Sequence, residues 1–158
     1  MPTVFPDVTE KEINACLNRA GKCFNFYRKQ DGLIRADFLF QIARELEDRK
    51  EEIISVSNQE TSLGNPRLQA ELIRTISEIE IFANLAKSGE WLDFSFQEIG
   101  KSPFVSKLYK HNVPIGPVLV IGACNFPLAI SVVGTDTISA LTVGCPVLVK
   151  AHPAHPAT

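Results

Sequence analysis

The chain has 158 residues, 45% of them hydrophobic and 22% charged, which is the balance of an ordinary globular domain and not of a disordered segment. Lys and Arg total 16 against 18 Asp and Glu, a formal net charge of -2, so neither nucleic acid nor an anionic membrane is an expected partner. The opening MPTVFPDVTEKE lacks the basic and apolar regions of a secretory leader, and no apolar run approaches the roughly 20 residues of a membrane helix. A cytoplasmic protein with its four cysteines reduced is expected.

The first half carries helical periodicity. Thr9 with Glu12 three residues on forms a capping box, and Ile13, Cys16, Leu17, Ala20, Phe24 and Tyr27 follow on one face. Asp31-Gly32 is expected to end that helix. A second amphipathic segment sets Phe38, Ile42, Ala43 and Leu46 against the polar Arg44, Glu45, Glu47 and Asp48, and runs on toward Thr61. Gly64-Asn65-Pro66 then breaks the chain, with Asn65 a candidate cap and Pro66 suited to the first turn. A third and longest helix is expected from there to about Lys87, with Leu68, Leu72, Ile76, Ile79, Phe82 and Ala86 inward and Gly89 as its stop. Residues 1–90 are read as a helical scaffold whose charged residues are solvated faces.

The period then changes. Phe94 and Phe96 alternate with polar neighbours, and Val105, Lys107 and Tyr109 do so less regularly, so residues 91–112 are read as a strand or hairpin. Residues 113–158 form a sharper unit. The apolar run Val118–Ile121, bounded by Gly116-Pro117 and Gly122, predicts a strand buried on both faces. A helix is expected from Leu128 to about Val143, then a Gly144-Cys145-Pro146 turn and a strand Val147–Lys150. Strand, helix and strand make a right-handed βαβ unit, so the fold class is α/β: N-terminal helices followed by the first βαβ unit of an incomplete, Rossmann-like parallel sheet.

Open parallel sheets bind ligands beyond the carboxyl ends of their strands. Those ends carry Gly122-Ala123-Cys124-Asn125 and Lys150-Ala151-His152-Pro153. Gly122 and Ala123 would leave room for a flat ligand, Lys150 would supply a cation, and a helix N-terminus near Pro127 would offer free backbone N–H groups. These features suggest a nucleotide. The usual G-x-G-x-x-G and G-x-x-x-x-G-K-[ST] fingerprints are absent from the sequence. His152 and His155 lack further ligands in the pattern, and no metal site is expected.

The segment Pro114-Ile115-Gly116-Pro117-Val118-Leu119-Val120-Ile121-Gly122-Ala123-Cys124-Asn125-Phe126-Pro127 resembles the P-x-G-P-V-x-V-I-x-x-x-N-F-P strand and turn of the aldehyde dehydrogenase family. Ala140-Leu141 and Gly144-Cys145-Pro146-Val147-Leu148-Val149-Lys150 resemble that family's A-L-A-x-G-N/C-x-V-V-x-K. The tail Lys150-Ala151-His152-Pro153-Ala154-His155-Pro156 is similar to the subgroup of α-ketoglutaric semialdehyde (2,5-dioxopentanoate) dehydrogenases and related NADP-preferring bacterial enzymes. Arg35–Leu39, Glu60–Gly64, Pro66–Gln69 and Glu71–Thr75 look like the same subgroup, so the likeness runs from about Val8 onward.

The resemblance implies NADP or NAD as cofactor, a small-molecule aldehyde as substrate, and a homo-oligomer in which residues 91–112 resemble the oligomerisation segment. It makes Asn125 the oxyanion-hole residue, whose side-chain N–H stabilises a thiohemiacetal oxygen. It makes Lys150 the contact to the adenosine ribose, with Ile121, Gly122, Ala123, Cys124, His152 and Pro153 lining the cofactor. It also sets the cysteine nucleophile and glutamate base far downstream of the βαβ unit. None of Cys16, Cys23, Cys124 and Cys145 has the nucleophile's context, so the chain alone is expected to be inactive. A non-catalytic nucleotide-binding or pairing module, or the relic of a truncated gene, are the alternatives. Two strands cannot close a doubly wound sheet, so the isolated chain is expected to be marginal, aggregation-prone or dependent on a partner.

Overall fold

The computed structural model describes residues 5–101 and 103–158; residues 1–4, the start of the segment read for a leader, lie outside the described residues. Helix α1 spans Glu10–Tyr27 and opens on the expected capping box: Thr9 Oγ1 accepts from the Glu12 N–H at 3.3 Å, and Glu12 Oε2 accepts from the Thr9 N–H at 2.8 Å. Asp31-Gly32, expected to end that helix, instead begins α2 (Gly32–Asp48). The Asp31 carboxylate accepts from the Leu33 N–H at 2.8 Å, a capping bond that serves the apolar run ahead of it.

The second amphipathic segment is also not continuous. Arg49, at φ -103° and ψ 14°, leaves the helical region and separates α2 from α3 (Lys50–Thr61). No Gly or Pro marks this break, so the periodicity runs straight through it. The buried face of α2 is Ala36, Leu39 and Ala43, while Phe38 lies exposed. Helix α4 (Asn65–Ser88) takes Gly64 as its N-cap and carries Pro66 in its first turn. Asn65, expected to cap, lies inside the helix and its side chain caps nothing. Gly89 adopts φ 73° at the C-cap and stops α4 as expected, in a conformation few other residues accept. The sequence pattern thus shows three helices where the chain makes four.

Helices α2 and α4 pack along their alanines. Ala36, Leu39 and Ala43 meet Ile79, Ala83 and Ala86, and Ile138 closes the cluster from the second half. Ile54, Leu68, Leu72 and Leu128 form a second cluster.

Strands β1 (Ser95–Lys101) and β2 (Phe104–Lys110) form an antiparallel hairpin, with Phe96 opposite Tyr109 and their rings 5.1 Å apart. Every described residue of both strands is exposed. Strands β3 (Val118–Ile121) and β4 (Val147–Lys150) pair in parallel, Val118 beside Val147 and Ile121 beside Lys150. The crossover helix α5 covers only Thr135–Thr142, shorter than expected, because Pro127–Val133 coil through turns and Gly134 provides the N-cap. The expectation that β3 is buried on both faces fails as well. Val120 is 4% exposed, while Leu119 and Ile121 are 64% and 67% exposed, the alternation of a strand covered on one side. The other side meets no element among the described residues.

The buried Arg35 and the half-buried Tyr27 finish the C-terminal end of α5. Arg35 donates to the Thr142 carbonyl at 2.9 Å and to the Gln30 carbonyl. Tyr27 Oη donates to the Leu141 carbonyl at 2.9 Å, and burial, opposed by the nearby Arg35, pushes its phenol up to about 12. A guanidinium at the negative end of a helix is favourably placed, and it replaces solvent for carbonyls that the helix leaves unpaired.

Candidate functional site

The carboxyl ends of β3 and β4 stop at one level, because Ile121 and Lys150 are register partners and the Gly122 N–H donates to the Lys150 carbonyl at 3.1 Å. Just beyond them the chain presents an exposed shelf of Cys124, Asn125, Lys150, Ala151 and Pro153. Asn125 and Lys150 therefore emerge on the same edge. Among the described residues, Lys150 makes no ion pair and the Asn125 side-chain amide makes no hydrogen bond. Both remain available to a ligand.

Gly122 has a different use from the one its size suggests. It is buried, and a Cβ there would stand 2.8 Å from Ser131 Oγ and 3.3 Å from the His152 backbone nitrogen. The missing side chain makes room for the chain's own turn, and Ala123 and Cys124 form the surface beyond it. Ala123 is fixed from both sides: its N–H donates to the Ile130 carbonyl at 2.9 Å, and its carbonyl lies 2.8 Å from His155 Nε2. His155 is buried and stacks on His152 with ring centroids 5.2 Å apart. His152 Nδ1 accepts from the Ala154 N–H at 3.1 Å. The two imidazoles thus brace the Lys150–Ala154 turn against β3.

The backbone N–H groups expected near Pro127 are not free. No helix starts there, and the Leu128 and Ala129 N–H groups donate to Glu71 Oε1 at 2.8 and 2.9 Å. An internal carboxylate already fills the position where a phosphate would sit. These N–H groups are therefore closed to an outside anion, and the exposed Lys150 ammonium is the cation on this edge.

Helix α4 holds the whole crossover in register. Arg67 Nη2 donates to the Asn125 carbonyl at 2.6 Å, Glu71 takes the two N–H groups above, Glu78 Oε2 accepts from Thr135 Oγ1 at 2.6 Å, and the Phe82 carbonyl accepts from Thr142 Oγ1 at 3.3 Å. The chain from 125 to 142 runs alongside α4 from 67 to 82. Reading these charges as solvated faces misses this. The available signal is that Glu71 stands on the buried stripe of α4, three residues from Leu68 and four from Thr75, where a charge is costly unless bonded.

A parallel β-α-β unit with a polar, open carboxyl edge defines the opening segment of an open α/β ligand-binding sheet. Residues 3–158 match the model of the aldehyde dehydrogenase family, and the chain belongs to that family. It is 40% identical to α-ketoglutaric semialdehyde dehydrogenase 2 of Azospirillum brasilense over 155 residues, 96% of this chain and 30% of that protein. It is 37% identical to α-ketoglutaric semialdehyde dehydrogenase of Acinetobacter baylyi, across 98% of this chain and 30% of that one. Among solved structures it is similar to aldehyde dehydrogenase 21 from Physcomitrella patens, in complex with the product succinate. The TM-score is 0.80 at 25% identity, over 96% of this chain and 31% of that one. An aldehyde dehydrogenase from Brucella melitensis biovar abortus shares the fold with a TM-score of 0.83 at 20% identity, over 96% of this chain and 30% of that one. The chain spans about 30% of the length of the curated relatives it matches first.

Proposed function

We propose that this chain is the N-terminal part of an oxidoreductase that converts an aldehyde to its carboxylic acid with NAD(P)+, and that it supplies the adenosine-side wall and the oxyanion donor of that reaction. The observation that carries this reading is the register of β3 on β4, which brings Asn125 and Lys150 out on one open edge. When bound, the nicotinamide cofactor accepts the hydride from the aldehyde carbon. Lys150 donates to the adenosine ribose hydroxyls, or meets the 2′-phosphate of NADP. Ile121, Ala123 and Cys124 form the wall beside it, Gly122 lets the turn beneath them close, and His152 and Pro153 shape the adjoining turn. The Asn125 amide donates to the substrate oxygen as negative charge develops there, a contribution of about 3 kcal/mol to the barrier.

The relatives' names support α-ketoglutaric semialdehyde as substrate. The carboxylate at the far end of this five-carbon 2-keto aldehyde would need a cation outside this edge, since Lys150 is committed to the cofactor. Cys145 is buried, Cys16 and Cys23 lie on α1, and Cys124 is assigned to the cofactor wall, so this reading gives the nucleophile to none of the four and expects no turnover from the 158-residue chain alone. A cytoplasmic homo-oligomer, joined through the hairpin region, is the setting that this reading expects. Among the described residues no helix is long and apolar enough to cross a membrane.

In the complete enzyme, Asn125→Ala is expected to lower kcat about a hundredfold with little change in KM, and Lys150→Ala to raise the KM for the cofactor. Wild-type kcat in Asn125→Ala would overturn the assignment. NADP+ titrated against the 158-residue chain should bind without turnover.

A further inference from the structure

We propose that Glu71 and Arg67 are positioning residues for Asn125, a clamp through which α4 aims the oxyanion donor; the inference rests on the reading of Asn125 given above. The two stand one helical turn apart on α4 and grip the two ends of one short turn. Arg67 holds the Asn125 carbonyl at 2.6 Å while its guanidinium lies 5.2 Å above the Phe126 ring. Glu71 holds the Leu128 and Ala129 N–H groups through a single oxygen, 2.8 and 2.9 Å away. Only Phe126 and Pro127 separate the gripped positions.

A side chain swings on its backbone, so the direction of the Asn125 amide follows from the orientation of its peptide. Fixing the carbonyl on one side and the Leu128 and Ala129 N–H groups on the other holds the Asn125 Cα–Cβ bond in one direction and so narrows where the amide can point. Glu71 is buried, and its second oxygen, also buried, has no partner among the described residues. A carboxylate kept there at the expense of one desolvated oxygen does more than a neutral cap requires. Positional errors of about 1 Å cost catalytic groups on the order of a hundredfold, so a partial loosening is expected to cost less than deleting the amide.

The test uses the complete enzyme. Glu71→Ala should lower kcat about tenfold while KM for the aldehyde stays within about twofold, and Glu71→Gln, which still accepts both N–H bonds, should recover most of the loss. Arg67→Ala, at an exposed position that leaves the core intact, should lower kcat about threefold even if Glu71→Ala fails to fold. The double variant Glu71→Ala/Asn125→Ala should be no slower than Asn125→Ala alone, because Glu71 acts through that amide. Multiplicative losses in the double variant, or unchanged kcat in both Arg67→Ala and Glu71→Ala while Asn125→Ala is slow, would overturn the clamp and leave the role of Asn125 standing. Unchanged kcat in Asn125→Ala would remove the reading beneath it.

Discussion

The crossover between β3 and β4 and the hairpin β1–β2 are both apolar-rich and both follow the four helices in the chain, yet the chain treats them oppositely. The crossover is tied to α4 at four levels, by Arg67, Glu71, Glu78 and the Phe82 carbonyl, and its Ile138 enters the main cluster. The hairpin shows Phe96, Ile99, Phe104, Leu108 and Tyr109 to solvent, and among the described residues the backbone of its strands is held only strand to strand. A segment that must present a chemical group at a fixed place is anchored through polar bonds to a rigid helix. A segment with exposed apolar alternation and no anchor offers a surface of the kind that marks interaction sites.

The strongest way to break this comparison is to remove the core on which the crossover rests. Ile79 is fully buried between α2 and α5. Ile79→Ala is expected to cost about 4 kcal/mol, by lost transfer energy and by the cavity left behind, and to lower the midpoint of chemical denaturation accordingly. Midway in size comes the buried carboxylate. Glu71→Ala strips two N–H groups of their acceptor in a place closed to water, at a cost of about 2 kcal/mol. Amide exchange at Leu128 and Ala129 should accelerate in that variant before exchange in α2 does. Simultaneous acceleration throughout the chain would mean that the crossover is not a separately anchored unit.

How much of this was legible in the sequence depends on what each residue's signal was. Apolar β-branched runs flanked by Gly and Pro were enough to locate β3 and β4, and the N-F-P and V-L-V-K motifs pointed to the edge they share. Local capping signals read correctly at Thr9 and Gly89, where one residue decides. They misled at Asp31 and Asn65, since Asp and Asn serve turns and caps alike and the choice follows from what packs next. On α2 the expected inward face holds at Ile42, Ala43 and Leu46 and fails at Phe38, which lies outside while Leu39 lies inside, because Ala36 and Ala43 admit close helix contact that bulk alone does not reveal. The hidden part is the polar rail on α4. Its partners lie 57 to 60 residues away in sequence, and no local period encodes a bond of that span.

Acid should sharpen the contrast by a smaller amount. Burial alone would raise the Glu78 carboxyl, but the Thr135 hydroxyl and Arg74 outweigh it and hold it below its ordinary value. A lowered carboxyl binds its proton less readily when folded. The stability it contributes is complete above the unfolded carboxylate range and is lost as pH falls through the folded value. The melting temperature of the chain is therefore expected to drop on acidification, and Glu78→Gln should flatten that slope. An unchanged slope would place the acid-sensitive contacts elsewhere, the exposed Thr9–Glu12 box being one of them.

The smallest effect on folding is expected at the hairpin, and its smallness is the point. Phe104 is 84% exposed at the start of β2, and it leaves no cavity when shortened. Phe104→Ser should change stability by no more than about 0.5 kcal/mol, the range of surface substitutions that touch no special feature. Its light-scattering mass should fall toward that of one chain if the exposed face is what draws copies together. A large loss of stability in the isolated monomer would show instead that the hairpin packs on its own chain, and the division between an anchored crossover and an uncovered hairpin would no longer hold.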